Sequence, residues 1–311
     1  MNCRQGGARR SALTGILVRA ALALVATLTL TQVSQAQLSA GVSGLTGKNA
    51  EGYLSPLPTA LSSTLNTSIF QTGDVPKEGL NIKFGVQLMS AQFDDADRTY
   101  TAVYGPGDAD EAIVPTVIGD TEAVLRPGEA GTQHYFSGGF DIDDFSIAVP
   151  QLTIGNLLGT RITARWIAVK LGDESEDLGD LELLGLGAQH SITQYIPDLP
   201  VDLAVGGFYQ TFNLGDDLLE TKALHLDVTG SKHFGLLQPY VGVGYDSFEM
   251  DLVYELTDGI ETVDEISVDF EKETNLHGTV GLLANLPVVK AHIEFNLAAA
   301  NTVALGLSFG N

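Results

Sequence analysis

Through most of the chain, apolar and polar residues take turns. VVKAHIEFNL (288–297) sets Val289, Ala291, Ile293, Phe295 and Leu297 against Lys290, His292, Glu294 and Asn296. A period of two puts successive side chains on opposite faces of a strand. The stretch therefore predicts a strand with one apolar face and one charged face. LNIKFGVQLMSA (80–91) repeats the pattern, with Ile82, Phe84 and Val86 on one side and Lys83, Gly85 and Gln87 on the other. TRITARWIAV (160–169) does so again, with Ile162, Ala164 and Trp166 opposed to Arg161, Thr163 and Arg165. The segments 180–192, 200–212, 220–232, 239–256, 265–286 and 302–310 read as strands by the same rule. Adding SIAVPQLTIG (146–155), which Pro150 interrupts, makes ten strands. Within 239–256 the apolar parity moves from Val241, Val243 and Tyr245 to Phe248, Met250 and Leu252, which predicts a bulge near Ser247.

Two architectures fit such strands. A soluble sandwich turns the apolar face inward; a membrane barrel turns it toward lipid and the polar face toward a lumen. The connections favour the barrel. GNLLG (155–159), QYIPDLP (194–200), FGLLQ (234–238) and NLPV (285–288) are short and carry little charge. The intervening stretches 92–145, 172–180, 214–220 and 255–265 are acidic, and the first is long and reads as irregular. Short turns on one rim and longer polar loops on the other, with an even strand number, are the pattern of bacterial transmembrane barrels. We therefore expect an all-β transmembrane antiparallel barrel of about ten strands, within a range of 8–12, over residues 79–311. Residues 37–78 do not alternate. Leu61 and Leu65 share one face of a short helix, and this segment is a candidate plug for the lumen.

The first 36 residues carry four arginines and no acid, then an apolar run over 20–30, then Ser34-Gln35-Ala36. This is the order of a cleaved secretory signal. The only cysteine, Cys3, lies inside it, so thiolate chemistry and disulfides are not expected beyond it. The whole chain has 16 basic and 39 acidic residues, a formal net charge of −23. That excludes nucleic acid as a partner. Outer-membrane lipid and the barrel assembly machinery are the expected partners, with a small solute as a further one. The last strand, with Val303, Leu305, Leu307 and Phe309 outward, looks like the signal that this machinery reads, except that Gly310 and Asn311 follow Phe309.

Several stretches resemble an uncharacterised family of bacterial outer-membrane proteins, classed as a domain of unknown function. They are YLSPLPTALSSTLNTSIFQTG (53–73), the strand at 80–91, LGLGAQHSITQYIPDLPVDLAVGGFYQ (184–210), VTGSKHFGLLQPYVGVGYDS (228–247) and the closing strand. The resemblance implies an outer-membrane barrel and carries over no catalytic or binding residue.

Little in the chain reads as catalytic. His190 and Ser191 are adjacent, so they point to opposite faces of a strand. Asp141-x-Asp143 offers an acid pair, but the accompanying motif is reversed, as His225-x-Asp227. The six histidines are scattered, and Asp94-Asp95-Ala96-Asp97 lacks the spacing of a calcium loop. No enzyme activity, cofactor or metal is expected. The polar faces instead predict a lumen lined by Lys83, Gln87, Arg161, Arg165, His225, Asp227, Lys290, His292 and Glu294. The function this suggests is a narrow or gated path for a small solute. A structural or surface-interaction barrel without transport is the alternative, and a soluble secreted β-protein a more remote one.

Overall fold

The computed structural model describes Leu45 and residues 47–170, 180–196, 198–215, 218–257 and 262–310. The proposed signal lies outside these residues. Among the described residues, helices α1 (Lys48–Leu54) and α2 (Pro56–Leu65) precede the strands, and Pro56, which lacks an N–H, stands at the start of α2. Fourteen strands follow among the described residues. Ten of them close into one antiparallel barrel: β1 (Asn81–Gln92), β6 (Asp144–Leu157), β7 (Thr160–Lys170), β8 (Asp180–Ser191), β9 (Asp202–Leu214), β10 (Leu219–Ser231), β11 (Leu237–Thr257), β12 (Thr262–Asn285), β13 (Val289–Leu297) and β14 (Thr302–Gly310). Each pairs with its chain neighbour, and β1 closes the ring by pairing with both β6 and β14. Closure gives every strand of the ring a partner on both sides, which is the condition for strands to cross lipid.

Side-chain exposure sorts the two faces as the alternation requires. Val205, Val228 and Val243 sit side by side on β9, β10 and β11 and all face out, at 38%, 49% and 68% exposure. Their neighbours Asp227 and Gln189 are buried inside. The outside is thus an apolar belt and the inside is polar, the arrangement of a transmembrane barrel.

The interior is not uniform along its axis. Toward the long-loop end the inward side chains become apolar: Met89, Val149, Leu183, Phe212, Phe248, Met250 and Leu252 are buried in one cluster. This also accounts for the parity change from which a bulge near Ser247 was expected. Even-numbered residues of β11 face inward from Tyr240 to Leu252 without a change of parity. The apolar residues change face because the interior changes character, while a register shift against β12 does lie near Ser247, between Phe248 and Met250.

Two expectations are corrected. The stretch 92–145 is folded: β2 (Thr99–Tyr104) pairs with β3 (Asp110–Pro115), and β4 (Val124–Pro127) with β5 (Gln133–Phe136). Its Ala102, Val114, Ile118 and Phe136 join α1 residues Tyr53 and Leu54 in the same apolar cluster as the upper barrel interior. Asn49 mimics a strand partner, exchanging two hydrogen bonds of 2.8 and 2.9 Å with the Val103 backbone. The Tyr53 hydroxyl donates to Gly138 O at 3.0 Å. Burial, helped by Tyr135, pushes that hydroxyl up to about 12, so it keeps its proton at physiological pH. Pro150, in turn, does not break β6. It pairs with Val86 on one side, and the ladder to β7 begins only at Gln151, so the missing N–H costs no bond there.

The two environments for exposed apolar residues make a direct test. Arginine in place of Val243 puts a charge in the belt and is expected to destabilise the barrel by about 2–4 kcal/mol. Lysine in place of Ile113, which is exposed on β3 in the hairpin that packs on α1, is expected to change stability by less than about 0.5 kcal/mol. Urea titration of both variants in phospholipid vesicles measures the difference.

Candidate functional site

The lumen is occupied by the chain's own N-terminal segment. Helix α2 has buried residues on every side, Leu61 and Leu65 among them. A helix ending in the interior leaves its last carbonyls without intrahelical partners and presents the negative end of its dipole. Arg165 on β7 meets both needs. Its Nη1 donates to Leu65 O at 3.1 Å, and its Nη2 to Thr67 O at 2.8 Å and to Ser68 O. Its Nε donates to Gln151 Oε1 at 2.8 Å, and the guanidinium lies 5.5 Å from the centre of the Phe208 ring. No part of Arg165 is exposed.

After the helix the chain turns at Ser68, whose φ is +59°. Glu294 fixes that turn. Its Oε1 accepts from Ser68 N at 2.7 Å and from Asn296 Nδ2 at 3.1 Å, and its Oε2 accepts from the Tyr240 hydroxyl at 2.6 Å. The Ser68 hydroxyl lies 2.7 Å from His292 Nε2 and 3.3 Å from Gln87 Oε1. Four predicted lumen residues, Gln87, Arg165, His292 and Glu294, are thus brought together on one turn of the inserted segment.

Further along, the Thr72 and Ser231 hydroxyls are 3.1 Å apart, and Gly73 N donates to Ser231 Oγ at 3.0 Å. Gly73 runs so close to the wall that a Cβ would collide with the carbonyls of Asp202 and Thr229, and a Cβ on Gly206 would collide with the ring of Phe70. These two absent side chains let the segment and the wall approach. Arg161 donates to Asp74 O at 2.5 Å, and His233 lies 3.0 Å from the Asp74 carboxylate. Lys83, Arg161 and Lys290 are neighbours of one another near Asp74 at the short-turn end, and Lys290 also reaches Asn285 at 3.2 Å.

The lumen arginines do not form ion pairs with the lumen acids Glu294 and Asp227 among the described residues. They instead hold backbone carbonyls of the inserted segment, because a planar five-donor group matches a helix end. His225 and Asp227 lie deeper, on the wall of a small cavity shared with Asn66, Phe70 and Thr279. Asp227 accepts from the Thr229 hydroxyl through one oxygen, while its other oxygen and both amide atoms of Asn66 have no partner.

The other motifs have structural employment. Asp141 and Asp143 hold Arg98 from two sides, the first at 2.9 Å. Asp94 and Asp97 cap each other's backbone around a short 3-10 turn. His190 bonds the Thr160 and Tyr195 hydroxyls at 2.8 and 2.9 Å. Sequence reasoning missed Tyr240, Asp246, His277 and Asn296. The even parity of β11 marked the first two, and His277 stands opposite Gly244 across the β11–β12 ladder.

Methionine in place of Arg165 removes the charge-assisted bonds to the helix end. It is expected to cost about 3 kcal/mol or more in urea unfolding and to speed tryptic cleavage at Lys77. Lysine at the same position is not expected to restore stability, since one ammonium cannot serve Gln151 and three carbonyls together.

No curated protein sequence matches the chain. Among solved structures, a loop-deletion form of OmpT, an outer-membrane protein of Vibrio cholerae, is 9% identical, with 75% of this chain and 100% of that chain covered and a TM-score of 0.27. The toluene transporter TbuX of Ralstonia pickettii is also 9% identical, over 82% of this chain and 93% of that one, with a TM-score of 0.28. At scores this low the fold description rests on the chain's own strand pairing. The profile of DUF6588, a family of unknown function, matches residues 14–311, and the chain belongs to that family.

Proposed function

We propose that this chain is a closed outer-membrane barrel in which residues 47–78 are a built-in plug, and that it holds a folded surface outside the cell rather than an open pore. The observation that carries this reading is the fully buried Arg165 binding the end of α2. A cation placed there satisfies the plug in its present position and would keep only Gln151 and the Phe208 ring on the wall if the plug withdrew. Continuity of the core supports the same reading. The plug's α1, the hairpin β2–β3 and the upper barrel wall share one apolar cluster, so withdrawal would also strip the outer hairpins of their support. The acidic outer stretch would then face the medium, with its hairpins available to partners. Its insertion would depend on the barrel assembly machinery reading the last strand.

A second reading is a narrow gated path for a small solute. It is favoured by the polar cavity beside Asn66 and Asp227 and by the cationic group Lys83, Arg161 and Lys290 at the short-turn end.

A disulfide separates the two readings. The Thr72 and Ser231 hydroxyls are 3.1 Å apart, so Thr72→Cys with Ser231→Cys places two thiols within bonding range. The expected result in planar bilayers is silence from the wild type and from the locked variant, with current only after residues 47–78 are deleted. Wild-type current that vanishes on locking would overturn the closed-barrel reading and establish the gated path.

A further inference from the structure

We propose that His225, Asp246 and His277 form a site on the inner wall for one divalent transition-metal ion of the kind that takes imidazole and carboxylate ligands, with zinc as the representative. The three residues come from the adjacent strands β10, β11 and β12, and all are buried. Their ligand atoms lie within 4.8 Å of one another. His225 Nδ1 is 2.6 Å from one Asp246 oxygen, and His277 Nδ1 is 2.7 Å from the other.

The hydrogen bonds behind His277 determine which of its nitrogens carries a proton. Asn296 donates through Nδ2 to Glu294 Oε1 at 3.1 Å, and its Oδ1 accepts from the Thr279 hydroxyl at 2.7 Å. The amide is therefore oriented, and its oxygen faces His277 Nε2 at 2.9 Å. An amide oxygen only accepts, so Nε2 carries the hydrogen. In a neutral imidazole this leaves Nδ1 with its lone pair aimed at an Asp246 oxygen. Two lone pairs at that distance repel, so a cation is shared between them, either a proton or a metal ion. An imidazole whose far N–H is held by a carbonyl is also the arrangement that orients histidine toward a metal.

The surroundings fit an ion of this class. Two imidazoles and one carboxylate are a recurrent set for zinc, with a fourth position left to water. The small cavity reaches His225 and Asp227, and the free Asp227 oxygen is a partner for such a water. The dication would also offset two carboxylates, Asp227 and Asp246, that the barrel removes from solvent.

The test uses the full-length protein, refolded from urea in detergent with Co²⁺ present, so that burial does not block entry. The expected result is one cobalt per chain with the visible absorption of a tetrahedral site, displaced by zinc. Asn296→Ala is expected to weaken binding by about 10–100-fold. His277→Gln and Asp246→Asn are expected to abolish it, and His233→Gln to leave it unchanged. A folded wild-type barrel, identified by heat-dependent gel mobility, that takes up no stoichiometric cobalt or zinc would overturn the site. That result would assign the cluster to a protonated His277 in a hydrogen-bond chain. Because the wild-type measurement needs no variant, misfolding of a variant does not blunt it. Full binding by a folded His277→Gln protein would equally overturn the assignment.

Discussion

One buried guanidinium organises the interior. A barrel wall in lipid must turn its polar residues inward, and an interior of ten strands is close to the size that side chains alone can fill. Here a helix fills the remainder, and a helix brings unsatisfied carbonyls wherever it stops. Arg165 takes those carbonyls, while Glu294 takes the next N–H, that of Ser68. Two opposite charges thus bracket the turn that follows the helix. Neither is exposed to water, so each depends on the inserted segment for the hydrogen bonds that the wall does not supply. The segment depends on them equally.

Above this polar level the barrel behaves like an ordinary globular core. Met89, Leu183, Phe212, Met250 and Leu252 face inward and meet Tyr53, Leu54 and the hairpin residues Val114 and Ile118. An apolar interior is affordable there because the segment supplies apolar partners rather than water. The change of character along the axis gives the molecule two kinds of cohesion: hydrogen bonds toward the short turns, and apolar packing toward the long-loop end.

The wall was legible in the sequence because lipid and lumen make opposite demands on alternate residues. Ten strands were expected and ten close the ring; β13 and β14 start at Val289 and Thr302, within a residue of the alternating runs. Legibility failed where that contrast fades. Beyond Asp246 the inner face of β11 is apolar, so parity no longer distinguishes in from out. The strands β4 and β5 have only four residues each, too few for a period to register. The lumen residues were found as types on a face, but their partners were not, since Arg165 binds backbone carbonyls that any sequence offers. The cluster of His225, Asp246 and His277 joins residues 21 and 31 positions apart, a proximity that follows from strand register alone.

The course of the N-terminal segment bears on how the molecule is put together. Its α1 packs beside the outer hairpins, while Gly73 and Asp74 touch Asp202 and His233 at the short turns. The chain therefore runs the length of the barrel before it enters β1. It is a rod fastened at both ends and along its sides. Wall and rod therefore share contacts along the whole length, and each completes a surface that the other leaves open.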